Sequence, residues 1–158
     1  MFVDTIRNEI QKVRNFFNNT IKVLEEQDSE FKPQDELYTV AQQVAHVAHT
    51  IDGFSDSAFL ETGPVWDDSA MEDHEKRVMA CTSLNDAKKW LDEAFERAME
   101  NFGSRSEKEL MSLMPADSLM GSMPRFTCAY GIQDHTAHHR GSLALYARLL
   151  GKEPSMPY

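Results

Sequence analysis

Apolar residues return every three or four positions over four long stretches of the chain, the spacing of one face of an α-helix. The first stretch runs from Phe2 to about Gln27, with Ile6, Ile10, Val13, Phe17, Ile21 and Leu24 on one side. The segment SEFKPQDEL, with Pro33 inside it, breaks the pattern. A second helix is predicted from Thr39, whose spacing to Gln42 suits a capping box. Its stripe is Val40, Val44, Val47, Ile51, Phe54 and Ala58, and Gly63-Pro64 ends it. An acidic connection through Trp66, Asp67, Asp68, Glu72 and Asp73 follows, with room for a short helical turn between His74 and Ala80. The third helix is predicted over Leu84 to Phe102, capped by Ser83 with Asp86 at the third position, and stopped by Gly103. Its buried face is Ala87, Trp90, Leu91, Ala94, Phe95, Ala98 and Phe102. A methionine-rich connection from Ser104 to Ser122 leads to the fourth helix, predicted from Pro124 to Leu150 with Gly151 as terminator. No segment alternates with period two for long enough to make a strand. The expected fold is all-α, a four-helix bundle in one domain over residues 1–158.

Charge narrows the class of partner. The chain has 26 acidic and 16 basic side chains, a net charge of −10, and a pI near 5.0. That balance argues against nucleic acid and against an anionic membrane surface. No run approaches the ~20 apolar residues that span a bilayer. The opening MFVDTIRNEIQKVR is charged from Asp4 onward and offers no signal-peptide core. Cys81 and Cys128 make no disulfide framework, so a reducing cytoplasm is the simplest expectation.

The chemistry sits on the fourth helix. Its stripe reads Cys128, Ile132, His135, His139, Leu143, Tyr146 and Leu150. His135 and His139 lie within about 20° of the stripe centre, one turn apart, as a helix presents two imidazoles to one metal. Hydrogen-bonded core histidines are the competing explanation, but two in register need two sets of buried partners. His138 lies about 80° off the stripe and reads as peripheral. On the second helix, His46 sits at a flank, about 120° from the valine stripe, where it can face a neighbouring helix; His49, at about 180°, is expected to face solvent. His74 falls in an irregular connection and has no predicted place. Geometry therefore favours His46 as the third ligand. His49, His74 and His138 are expected to be dispensable. Three histidines without a fourth protein ligand leave a position for water or substrate, the pattern of a catalytic rather than a closed site. Such an ion can lower the pKa of water toward ~7 or hold a thiolate as nucleophile.

The lesser candidates have plainer explanations. Arg140 is expected to be exposed or to pair helices rather than to anchor an acidic substrate. Asp134 reads first as a solvated carboxylate, although it could orient a ligand imidazole. Gly141 is expected to permit close helix approach. Met111, Met114, Met120 and Met123 suit flexible packing better than copper(I), and could wall an apolar pocket. The acidic run from Glu61 to Glu75 reads as a solvated connection rather than a cation site. Cys128 lies too far along the axis to share the ion, and Cys81 reads as structural.

The run DHTAHHRGSLALYARLLG at 134–151 resembles the C-terminal signature of the DinB-like (DinB/YfiT-like) superfamily. TVAQQVAHVAHTIDGF at 39–54 is similar to its second-helix motif, and GKEPSMPY fits its usual ending. The resemblance implies an up-down-down-up four-helix bundle and a divalent-metal site made by His46, His135 and His139. The metal is left open among zinc, nickel, iron and manganese. The resemblance also implies a homodimer, and a small-molecule substrate with a low-molecular-weight thiol such as bacillithiol or mycothiol. Two functions follow as expectations: a metal-dependent thiol transferase, or a hydrolase using metal-bound water. A metal-binding, stress-related helical protein without turnover is the alternative.

Overall fold

The first helix, α1 (Phe2–Ile21), buries Ile6, Ile10, Val13, Phe17 and Ile21, as its stripe predicts. It ends six residues before the expected Gln27. Leu24 still enters the core, but from a 3-10 turn at Glu26–Asp28. The Glu25 backbone N–H donates to the Asp28 carboxylate at 2.7 Å, and Lys152 ties down both acids. These local side-chain bonds offer the backbone an alternative to further helix. The computed structural model describes residues 1–59, 68–118 and 120–158, so Glu61, the Gly63-Pro64 stop, Trp66 and Asp67 lie outside the described residues.

Helix α2 (Val40–Phe59) starts where Thr39 and Gln42 form the predicted reciprocal cap: the Thr39 N–H donates to Gln42 Oε1, and the Gln42 N–H to Thr39 Oγ1. Helix α3 (Asp68–Met79) is longer than the expected turn, yet it buries only His74 and Val78. So few inward residues leave little periodicity to read. Helix α4 (Leu84–Gly103) is capped by Ser83 accepting from the Asp86 N–H, as predicted. A further short helix, α5 (Glu107–Met111), begins at a capping box of Ser106 and Glu109. Helix α6 (Thr127–Leu149) starts three residues later than the expected Pro124. Pro124 is held in an isolated antiparallel bridge with Leu113, and 3-10 bonds from Thr127 and Cys128 precede the first full turn. Gly151, at φ +74°, closes the helix as expected.

The protein is thus all-helical among the described residues, apart from that single bridge. The helices α1 and α2 each pack against both α4 and α6, which sets α1 and α2 across a diagonal of the bundle. The core fills the middle with Phe17, Phe95, Phe102, Leu91, Ile132 and Leu143. Arg14 on α1 clamps Asp92 and Glu96 on α4, and Asp52 on α2 accepts from Trp90 and Arg97 of α4. No helix among the described residues is long and apolar enough to cross a membrane.

Phe95, on α4, is fully buried in the core. Phe95→Ala is expected to cost about 3–5 kcal/mol through lost burial and the cavity left behind. Urea unfolding followed by circular dichroism checks this; a loss under about 1 kcal/mol would mean the bundle is packed differently.

Candidate metal centre

Three imidazoles meet between α2 and α6. His46 Nε2 lies 3.2 Å from His135 Nε2. The His139 ring centroid is 4.6 Å from that of His46 and 4.5 Å from that of His135. One nitrogen from each ring lies within 4.8 Å of the others, so these three residues could hold a metal ion. Two nitrogens each 2.0–2.1 Å from a shared ion stand about 2.8–3.4 Å apart at octahedral or tetrahedral angles, and the His46–His135 spacing falls in that range.

Helix geometry explains the convergence. His135 and His139 share the inward stripe of α6, one turn apart. His46 leaves α2 from a flank that faces α6 rather than α4. The outer nitrogen of His139 is already assigned: its Nδ1 donates to Gln43 Oε1 at 2.6 Å, which leaves Nε2 with its lone pair. Gln43 stands one turn before His46, and nearby the Tyr146 hydroxyl donates to the Tyr38 carbonyl. Sequence reading missed Gln43; its spacing of three from His46 is the one local clue. Asp134, the orienting candidate, is exposed and lies beside a cavity instead.

Electrostatics favour the neutral ligand form. Burial, reinforced by neighbouring imidazoles, holds His46 and His139 down to about 3. Burial likewise holds His135 at about 4, against a small upward pull from Asp134. All three are unprotonated at neutral pH with lone pairs available.

Two further histidines join the cluster. His49 does not face solvent. Its Nδ1 lies 2.9 Å from His74 Nδ1, and its ring packs edge-on against Trp90. The expected solvent face does not exist because α2 is buried around most of its circumference, by α4, α6 and α3. His74 is only 4 % exposed, and its Nε2 lies 2.8 Å from His46 Nδ1. His138 is exposed, as expected, with its ring beside His139.

A cavity of about 640 Å³ opens at His135. Phe54, Met120 and Tyr130 wall it, with Asp134 and His138 on its polar side. Of the four methionines in the connection, Met120 lines this space and Met114 packs on Cys128, while Met111 and Met123 are exposed. Close approach here depends on Gly131: a Cβ there would collide with the Phe54 ring. Gly141, expected to serve that purpose, has open space around its Cα instead. Arg140 points to the other side of α6, over Phe16 and Tyr158. Burial pushes the Cys128 thiol up to about 12, so it is no nucleophile, and Cys81 is also raised.

A family model described as DinB family matches residues 1–158. No curated protein matches the chain.

Proposed function

Because the chain belongs to the DinB family, we propose that His46, His135 and His139 together hold one divalent metal ion, and that the protein uses it to transfer a low-molecular-weight thiol to a small electrophile. The carrying observation is the convergence of three neutral imidazoles beside an apolar-walled cavity. With three neutral ligands, a bound divalent ion keeps its full charge and supplies the Lewis acidity that favours a thiolate over a thiol.

The chain's own residues supply the rest. Gln43 fixes the orientation of His139. Phe54, Met120 and Tyr130 receive the apolar part of the electrophile and exclude water from it. In the transfer the thiol proton leaves to solvent, the sulfur bonds to the electrophilic carbon, and the leaving group departs with the electrons of the broken bond. Hydrolysis, with water as nucleophile, is the nearest variant. Zinc, nickel and iron suit an imidazole site, whereas manganese prefers oxygen donors and suits three imidazoles less well. The reducing cytoplasm is the compartment in which a free thiol cosubstrate persists, and a homodimer is the proposed assembly.

The test is a panel of thiols and electrophiles given to the metal-loaded protein and to His139→Ala. Metal-dependent product formation is expected from the first and only background from the second. Equal rates across the panel would favour a metal-binding protein without turnover.

A further inference from the structure

Two histidines of the cluster, buried His74 and half-buried His49, remain outside the three proposed ligands. His74, from α3, sits between two other rings. Its Nε2 is 2.8 Å from His46 Nδ1, and its Nδ1 is 2.9 Å from His49 Nδ1. Each short contact must join one N–H to one lone pair, because two of a kind at that distance repel. A neutral imidazole carries one ring proton, so the tautomer of each ring sets that of the next.

A cation at His46 Nε2 selects one direction. The His46 proton must then sit on Nδ1, where it donates to His74 Nε2. His74 in turn carries its proton on Nδ1 and donates it to His49 Nδ1. In the reverse direction His46 would be protonated at Nε2 and could not ligate. We infer that His74 is a positioning residue for His46, and that the same contact couples metal binding to the docking of α3 on the bundle. The inference rests on the metal reading above, and it revises the expectation that His74 is dispensable.

Both halves have support in the packing. An outer acceptor orients a ligand imidazole and raises its basicity. Gln43 does this for His139, and His74 occupies the matching place for His46. On the other side of the contact, α3 buries only His74 and Val78. Its other ties include Glu75 accepting from the Tyr38 hydroxyl, the Arg77 guanidinium 5.1 Å above the Trp90 ring, and the Gln42 amide of α2 donating to the Met79 carbonyl at the end of α3 at 3.4 Å. A helix anchored by so few inward side chains responds strongly to the state of one of them. By reciprocity, an ion that binds better when α3 is docked must also stabilise the docked helix by the same factor.

The experiment uses the full chain with zinc as probe. Zinc affinity is measured by chelator competition for wild type, His74→Leu and His74→Gln, with circular dichroism to confirm that each is folded. His74→Leu is expected to weaken zinc binding about 10–100-fold. His74→Gln, whose amide oxygen can accept from His46 Nδ1, should recover most of that loss. Zinc should slow hydrogen exchange of the α3 amides in wild type and leave them unchanged in folded His74→Leu. Nitrogen-15 spectra of the zinc-loaded protein should find His46 protonated at Nδ1. The inference fails if folded His74→Leu binds zinc within twofold of wild type, if the leucine and glutamine variants behave alike, or if His46 is protonated at Nε2. Zinc that ignores His74 but is lost with His139→Ala overturns this inference alone. Zinc that never binds wild type removes the metal reading as well.

Discussion

Replacing His139 with alanine is expected to strip the protein of most of the divalent metal that the wild type takes up. His139 is 9 % exposed, its Nδ1 is committed to Gln43 at 2.6 Å, and its other nitrogen faces His46 and His135. The variant leaves two imidazoles, a cavity, and a Gln43 oxygen without its donor. Loss of an outer partner alone brings about 10–100-fold, so Gln43→Ala should fall in that range and loss of the ligand should exceed it. His138→Ala is the internal control. Its ring is exposed, and its removal should leave metal content near wild type. Metal analysis after dialysis against a weak chelator reads all three proteins together. Wild-type stoichiometry in His139→Ala would remove His139 from the site. Equal loss in His138→Ala would mean that the inward face of α6 has been assigned to the wrong residues.

Acid should destabilise the metal-free protein well before its carboxylates titrate. Burial and mutual repulsion hold His46 and His139 at about 3, and His49 and His135 at about 4, against 6.5 for a free imidazole. The unfolded chain therefore binds more protons than the folded one between about pH 4 and 6.5. Stability is complete above about 6.5 and falls as the pH drops through that window. One imidazole alone contributes at most about 1.4 kcal/mol per pH unit. Because the rings are partly exposed and interact, a total loss of about 2–4 kcal/mol between pH 7.5 and 5 is expected rather than four times the single value. Urea unfolding at pH 5, 6 and 7.5 measures it. A flat profile would mean that the imidazoles are solvated and not clustered. Bound metal should be released in the same window, since protons compete for the same nitrogens.

The long helices were legible because their signals are local. The reciprocal Thr39–Gln42 cap, the Ser83 cap of α4 and the Gly151 terminator all act where the sequence places them. His135 and His139 were legible for the same reason, as polar intruders one turn apart on an apolar stripe. The end of α1 was hidden because Leu24 keeps the apolar phase while leaving the helix. Helix α3 was hidden because it buries too few residues to produce a period. Its docking over α2 then determined what sequence could not give. It turned much of the expected solvent face of α2 into an interior one, brought His74 between His46 and His49, and left His49 half-buried. Gln43 belongs to the same class, because its role appears only once α6 lies against α2.

The most direct test of the metal reading is X-ray absorption at the metal edge of the loaded wild-type protein. Three imidazole nitrogens at about 2.0–2.2 Å, with any remaining positions filled by light atoms, are predicted. A sulfur scatterer near 2.3 Å, or no imidazole signature at one ion per chain, would contradict a centre built from His46, His135 and His139.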